Sequence, residues 1–164
     1  MEKFDEWKDN KLFIDDLMRM LDNVLTHFID VAPSHLWRAV ASAKSERSIG
    51  LGAMGFHTYL QSKNVPMESD IAISLNKTIF KHIHTNALAA NYILGKERGE
   101  PSDMKGTGKR FAHMIAIAPN ASSSIICGGV SPSIEPFRAN AFTQKTLSGS
   151  ALMKNPNLEK LLKE

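Results

Sequence analysis

Two long stretches of apolar residues at helical spacing constrain the fold of this chain most strongly. Between residues 11 and 31, apolar side chains recur every three or four positions, which is typical of an amphipathic helix that Asp9 or Asn10 can cap. A second such pattern follows Ser69 or Asp70, either of which can begin a helix. Its expected buried ridge is Ile71, Leu75, Ile79, Ile83, Ala87, Ala90 and Leu94. The sequence therefore predicts a helix-rich fold.

Two shorter segments are better suited to strands than to helices. Residues 47 to 56 hold three glycines among alternating apolar residues, which suits a buried strand that other backbone approaches closely. Residues 114 to 118 are apolar and end at Pro119, as expected of a buried strand in an α/β sheet. Three further helices complete the α/β prediction: one from Ser34 to about Lys44, a short one that ends at about Lys63, and a terminal one that begins at Asn157. An extended stretch is expected over 134–146 and a mobile loop over 99–109.

The composition argues against several classes of protein. No apolar run reaches the roughly 18 residues that a membrane span needs, and the start of the chain has no signal-peptide pattern. The 20 basic and 17 acidic residues are spread along the chain without a polybasic tract of the kind that follows a nucleic-acid backbone. A single cysteine, Cys127, excludes an intrachain disulfide. We therefore expect a cytoplasmic protein without a membrane or direct nucleic-acid partner.

The serine-rich turn after the second predicted strand is the strongest candidate for a binding site. Here Pro119, Asn120, Ala121, Ser122 and Ser123 place small hydroxyl side chains and backbone amides where a helix can begin. The first amides of a helix lack partners within it and carry the positive end of its dipole, so such a turn suits an anion. Serines at this position also cap helices without binding anything. The residues alone leave both interpretations open.

A second turn, residues 131 to 136, contains two prolines and one carboxylate, Glu135. A sugar hydroxyl or an arginine could be the partner of Glu135, and solvent exposure is the alternative. Ser124 extends the serine run without a clear indication of a ligand contact. We expect Cys127 to be a buried small apolar residue without a redox role, which is the usual fate of a lone cysteine.

Other conspicuous side chains favour structural interpretations. His82 and His84 are two residues apart on a predicted helix and point about 200° apart, so one metal ion could not readily take both. Trp7 and Trp37 lie near predicted helices and are expected to pack rather than to stack on bases. We expect Arg47 to pair with an acidic residue, either on the surface or in the interior, and to be structural.

Three motifs carry a resemblance to a known family. They are ERSIGLGAMGFHTYLQ at 46–61, IAIAPNASSSI at 115–125 and SPSIEPFRAN at 131–140, and the similarity extends to FDEWKDN at 4–10 and LSGS at 147–150. In order and spacing these segments resemble the large, catalytic subunit of class I ribonucleotide reductases. The resemblance covers nearly the whole chain and is closest to aerobic bacterial and phage members.

The resemblance implies a fold and a role for the serine turn. The family's catalytic domain is a ten-stranded α/β barrel, and residues 1–164 would form a single partial domain from its later portion, incomplete on its own. In the family, the turn that matches residues 119–123 binds the substrate diphosphate through backbone amides and hydroxyls. The resemblance therefore implies a substrate-binding site formed by Pro119, Asn120, Ala121, Ser122 and Ser123.

The resemblance also implies what this segment does not supply. The family's radical cysteine and its two reducing cysteines have no counterpart here, so no catalytic residue, metal ligand or cofactor site is expected and the isolated chain should be inactive. The radical and metal centre belongs to the small subunit. The implied partners are a ribonucleoside diphosphate, the remaining segments of the large subunit and the small subunit. A stand-alone phosphate-binding α/β domain and an inactive remnant are the alternatives.

Overall fold

The computed structural model is rich in helices and has one short sheet among the residues it describes, 1–146 and 149–163. The α-helices and strands are α1 (Phe4–Trp7), α2 (Phe13–Val31), α3 (Trp37–Glu46), α4 (Phe56–Ser62), α5 (Asp70–Arg98), α6 (Ser123–Ile126), β1 (Ala141–Thr146), β2 (Gly149–Lys154) and α7 (Pro156–Leu161), with 3-10 turns at Ser34–Leu36 and Ser102–Met104. Strands β1 and β2 form an antiparallel hairpin in which Ala141 faces Lys154. Two residues of the LSGS motif, Leu147 and Ser148, lie outside the described residues.

The two long periodic stretches form α2 and α5, as predicted, and both helices have the expected polar residue at their start. The Asn10 side-chain oxygen accepts the N–H of Leu12 at 3.1 Å, just before α2 begins. The Ser69 hydroxyl oxygen accepts the N–H of Ala72 at 3.2 Å and so caps α5. Helix α7 is capped in the same way, because the Asn155 side chain accepts the N–H of Asn157 at 3.1 Å.

The buried ridge of α5 begins one residue later than predicted. Ile71 is 60% exposed, whereas Ala72 is 2% exposed. Ala72 precedes Ile79 by seven residues, close to two full turns, so these two share a face, while Ile71 lies roughly 80° away from it. Leu75 is half-buried. The rest of the predicted ridge is buried, namely Ile79, Ile83, Ala87, Ala90 and Leu94.

The prediction of full strands over residues 47 to 56 and 114 to 118 is wrong, because the two segments meet only at one isolated parallel bridge, between Leu51 and Ile115, and Phe56 already begins α4. The Ala116 N–H donates to the Leu51 carbonyl at 3.3 Å. The predicted close approach of backbone to the glycines is confirmed, because a Cβ added at Gly50 would lie 2.9 Å from the Ala116 Cβ and one at Gly52 would lie 3.0 Å from the Ala116 carbonyl oxygen. Alanine at either glycine would push the two segments apart.

The prediction that residues 114 to 118 are buried is wrong. Ile117 is 43% exposed, and only Ile115 of this segment is bridged to another segment among the described residues. A parallel strand is buried when strands flank it on both sides and helices cover its faces, and the residues that the structure describes do not provide a strand on each side of this segment. Other apolar side chains are exposed as well, such as Ile126 at 85% and Leu152 at 64%.

The segment around α3 differs from the prediction in two respects. Ser34 does not cap the helix with its side chain; a 3-10 turn begins there, and the Ser34 carbonyl accepts the N–H of Trp37. Trp37 is 63% exposed, with the Arg38 guanidinium 5.2 Å from its ring centre. The prediction that Trp37 is a packing residue is therefore wrong, and α3 buries none of its side chains. Trp7 does pack, since its ring stacks 4.8 Å from that of Phe13.

The chain divides into two compact units. The first comprises Met1–Phe4, Ala53–Leu75 and Ala118–Glu164, and the second comprises Asp5–Gly52 and Asn76–Ile117. The serine turn and the hairpin belong to the first unit. That residues 1–164 form a single partial domain stays a prediction. Within the described ranges, the helices are too short or too polar to span a bilayer.

A buried carboxylate with three arginines organises the second unit. Asp22 is 0% exposed, and it accepts hydrogen bonds from Arg47 Nη2 at 2.7 Å, Arg98 Nη1 at 2.7 Å and Arg110 Nε at 3.3 Å. The structural role predicted for Arg47 is confirmed, and its partner lies in the interior. The neighbouring Glu46 instead accepts hydrogen bonds from the hydroxyls of Ser42 and Ser48.

The arginines keep Asp22 ionised. Burial acts to raise the pKa of Asp22, but the hydrogen bonds from Arg98 and Arg47 and the charge of Arg110 outweigh it and lower the pKa below the ordinary value. The stabilisation that the ionised Asp22 gives to the folded protein is therefore fully present at pH values above the ordinary aspartate pKa. It is lost as the pH falls through the lowered pKa of the folded protein.

Replacing Asp22 with asparagine should lower the free energy of unfolding by about 3 to 5 kcal/mol, because three guanidinium groups lose their shared counter-charge. Denaturant titration followed by circular dichroism would measure the change. The matched control is Asp5→Asn, which removes a half-exposed pair with Lys8 and should cost under about 1 kcal/mol. Equal small losses in the two variants would contradict the role given to Asp22.

Candidate functional site

The serine turn, residues 119 to 123, leads directly into α6, which begins at Ser123. The predicted helix start is thus confirmed. Asn120 is half-buried, and the other four residues of the turn are exposed. The turn is fixed at Asn120, whose N–H donates to the Pro132 carbonyl at 3.1 Å and whose side-chain amide donates to the Ala118 carbonyl at 2.8 Å.

Three consecutive amides of the serine turn are open. Among the residues that the structure describes, no acceptor meets the N–H groups of Ala121, Ser122 and Ser123 or the hydroxyls of Ser122 and Ser123. Hydrogen bonding of the helical kind begins with the next residue, because the Ser124 N–H donates to the Asn120 carbonyl at 2.9 Å. These five donors are available to an acceptor from outside the chain.

Ser124 has a different role from the two serines before it. It is 3% exposed, and its hydroxyl donates to the Ala121 carbonyl at 3.2 Å. Ser124 therefore closes the turn from inside with its hydroxyl.

The second turn anchors the serine turn to α4. Ser131 is 0% exposed; its N–H donates to the Thr58 hydroxyl at 2.9 Å, and its own hydroxyl accepts the Thr58 N–H at 3.3 Å. The Gly55 N–H donates to the Ser131 carbonyl at 2.8 Å. Because Pro132 in turn accepts from Asn120, a continuous chain of hydrogen bonds joins α4 to the serine turn.

Two other residues of this region were left open by the sequence. Glu135 is half-buried and makes no hydrogen bond or ion pair with any described residue, so its predicted sugar or arginine partner stays a prediction. Cys127 is exposed, so the expectation of a buried thiol is wrong. Helix α6 ends after one turn, and Gly128 and Gly129 follow with φ of 98° and 72°, which carries the backbone away before Cys127 can be covered.

The serine turn and the hairpin line one cleft of about 570 Å³ in the first unit. Ala121 and Ser122 line it from the turn, and Phe142 and Met153 line it from a facing pair in the hairpin. Three cationic residues also line the cleft, and no acidic residue among those described does so; the cations are Arg138, Lys145 and Lys154. The Arg138 guanidinium lies 5.7 Å from the centre of the Phe142 ring. The cleft thus combines neutral donors with positive charge.

The sequence prediction did not identify the three cations of the cleft, although a signal for them exists. Between Asp103 and Glu159 the only acidic residue is Glu135, whereas this stretch carries Lys105, Lys109, Arg110, Arg138, Lys145 and Lys154. The small net charge of +3 conceals this local excess. The description of the charges as spread along the chain is therefore wrong for this stretch.

The histidines of α5 do not form a metal site with other ligands in the described ranges, where three or more His, Cys, Asp or Glu side chains are nowhere grouped for a metal ion. The His82 ring lies 5.8 Å from the ring of Trp7, so it takes part in packing within the second unit. His84 is exposed.

The chain is similar to known proteins along its whole length. A family model described as "Ribonucleotide reductase, barrel domain" matches residues 2–107 and 100–164. The ribonucleoside-diphosphate reductase large subunit of Invertebrate iridescent virus 6 is 56% identical over 164 residues, which is 100% of this chain and 17% of that protein. The alpha subunit of the Actinobacillus ureae class Id ribonucleotide reductase superposes with a TM-score of 0.88 and 41% identity, over 99% of this chain and 29% of that one.

A more distant relative is the vitamin B12-dependent ribonucleoside-diphosphate reductase of Mycobacterium tuberculosis, which is 29% identical over 153 residues, covering 90% of this chain and 21% of that protein. The fold and these matches define a segment of the ribonucleotide reductase α/β barrel. The chain belongs to the family of class I ribonucleotide reductase large subunits. It spans less than a third of the length of each of these three relatives.

Proposed function

We propose that this chain contributes the substrate-diphosphate-binding loop to a ribonucleoside-diphosphate reductase, for the reduction of ribonucleotides to deoxyribonucleotides and thus for DNA precursor synthesis. The observation that carries the proposal is the set of open donors at the serine turn, residues 119 to 123, beside a cleft with cationic walls. Pro119 begins the turn and Asn120 fixes it through two hydrogen bonds, while Ala121, Ser122 and Ser123 present donors. The cytoplasmic location expected from the sequence is part of the same proposal.

Phosphate chemistry suits both parts of the cleft. Backbone amides and hydroxyls at a helix start donate directional hydrogen bonds to phosphate oxygens. Arg138, Lys145 and Lys154 add positive charge that compensates a diphosphate, and no acidic residue among those described lines the cleft. A neutral ligand would gain little from the cations, so the cleft favours an anion over an uncharged molecule of similar size.

The relatives support a role in handling substrate rather than in generating the radical. The segment is shared with a class Id alpha subunit and with a reductase whose name makes it vitamin B12-dependent, a dependence that the name of the class Id subunit does not state. Two of the relatives' names specify ribonucleoside diphosphates. A segment common to such enzymes is expected to serve the step they have in common, which is holding the ribonucleotide.

The remaining segments of the large subunit and the radical-generating small subunit are the proposed protein partners. Exposed apolar side chains such as Ile126 and Leu152 support contacts with further polypeptide. This segment is proposed to hold no cofactor; the radical and its metal centre are assigned to the small subunit. No residue of this chain is assigned a catalytic role.

Replacing Ser122 and Ser123 with alanine should weaken binding of all four ribonucleoside diphosphates alike, by tenfold or more. A neutral donor to a charged acceptor contributes on the order of 1.5 to 3 kcal/mol, and the lost contacts are to the phosphates rather than to the base. Calorimetric titration of the assembled large subunit would measure the dissociation constants. Ser122→Asp should be worse still, because it sets a carboxylate against phosphate.

The control for the serine variants is Ser34→Ala, which removes an exposed hydroxyl in the other unit and should leave the dissociation constants unchanged. Unchanged affinity in the Ser122 and Ser123 variants, or a loss confined to one base, would place the phosphate site elsewhere.

Replacing Arg138 and Lys154 together with glutamine should weaken diphosphate binding about threefold to tenfold at low salt, with a smaller effect at high salt, because exposed charges act through a screened field. The same titrations in about 0.05 and 0.5 M NaCl would measure both effects. The double variant Lys44→Gln and Lys77→Gln removes the same charge outside the cleft and should have little effect. A salt-independent loss would contradict a purely electrostatic role for the two cations.

The isolated chain should show no reductase turnover, because the thiyl chemistry implied by the family needs at least three placed cysteines and only Cys127 is present. Deoxynucleotide formation would be assayed with small subunit, reductant and effector supplied. Turnover above background by the pure chain would overturn the assignment of roles, and turnover restored by the missing segments would support it.

A further inference from the structure

His57 contacts the cleft from behind, through Phe137. The His57 side chain lies on α4, and its Nδ1 accepts the N–H of Phe137 at 3.3 Å. The two rings also meet edge to face, with centroids 5.8 Å apart and an interplanar angle of 71°. Phe137 and the next residue, Arg138, both line the cleft. One imidazole therefore holds both the backbone and the ring of the residue that precedes a cleft cation.

We propose that neutral His57 is a positioning residue for the cationic wall of the cleft: by accepting from the Phe137 N–H, it fixes the backbone from which Arg138 presents its guanidinium. His57 touches no ligand in this role. The proposal rests on the proposed function, because it assumes that the ligand held near Arg138 is a phosphate.

The contact requires one protonation state of the imidazole. Nδ1 can accept the Phe137 N–H only when it carries no proton, so His57 must be neutral with its proton on Nε2. Protonation would set one N–H against another and break the hydrogen bond. Burial lowers the pKa of His57, which keeps the ring neutral at pH 7 and the contact intact. The contact is lost as the pH falls through that lowered pKa.

No carboxylate among the described residues forms an ion pair with His57, so none stabilises the protonated imidazole by direct contact. The charged groups on its own helix and on the segments packed around it are Lys63, Glu2, Lys3, Glu135, Arg138, Glu159, Lys160 and Lys163. Burial alone lowers the pKa of His57, so the protonated state is unfavourable both for the contact and for the buried ring.

Inorganic pyrophosphate is a suitable probe, and its affinity would be measured between about pH 5 and pH 8. His57→Asn keeps an acceptor near the Nδ1 position but does not titrate, and His57→Phe keeps a ring without the acceptor. We expect His57→Asn to retain affinity within about twofold at pH 8, and His57→Phe to lose about fivefold there, a difference from the wild type that shrinks as the pH falls and the wild-type contact breaks. Comparison at each pH removes the titration of pyrophosphate itself. His84→Asn, an exposed histidine on α5, is the matched control and should follow the wild type.

The wild type should lose more affinity than His57→Asn as the pH falls. Identical pH profiles for these two proteins would overturn the proposal. This comparison does not require His57→Phe to fold.

A second measurement, made without ligand, separates the two proposals. In ¹⁵N spectra, the Phe137 amide and the Arg138 side-chain N–H should shift with a common midpoint in the wild type and should not do so in His57→Asn. An Arg138 signal that does not follow the His57 titration overturns the positioning role, whatever the ligand. Failure of the wild type to bind pyrophosphate, with the Arg138 shift present, overturns the proposed function instead.

Discussion

The second unit depends on Asp22, a single anion that three distant parts of the sequence share. Arg47 follows α3, Arg98 ends α5, and Arg110 follows the glycine-rich loop, yet all three donate to the same buried carboxylate of α2. A buried carboxylate is costly unless charged donors surround it, so the four side chains are stable only together. This requirement fixes the positions of the ends of α3 and α5 and of the residue after the glycine-rich loop. Apolar packing alone would specify these positions less closely.

Local features of the fold were predictable from the sequence, whereas features that need a partner were not. Ser69 caps α5 because its hydroxyl oxygen accepts the N–H of Ala72, three residues away. Such a contact can be predicted because both residues lie within one helical turn of the sequence. The burial expected of Ile117 failed, because burial of a strand depends on neighbours that its own pattern does not contain. The ridge of α5 lies between these cases: its period was correct, and its phase at Ile71 was not.

The candidate site divides in the same way. The serine turn was predictable because donors, helix start and preceding apolar segment are consecutive in the chain. The local basic excess was visible in the sequence, but the position of its cations at the cleft was not predictable, because a hairpin set by strand pairing brings Lys145 and Lys154 there from 22 or more residues beyond Ser123. Cys127 was misjudged for a related reason: its exposure follows from the backbone path through Gly128 and Gly129, which composition does not reveal.

The two parts of the cleft make different physical contributions to the proposed binding of a diphosphate. The amides of Ala121 and Ser122, which line the cleft, and of Ser123 next to them are directional and short in range, so they specify where a phosphate oxygen must lie. The charges of Arg138 and Lys154 act over a longer distance and tolerate small displacements, so they raise affinity without specifying geometry. Neither contribution distinguishes one base from another. A loop built in this way suits an enzyme that must hold several ribonucleotides in one orientation, since selection among bases is left to residues outside the loop.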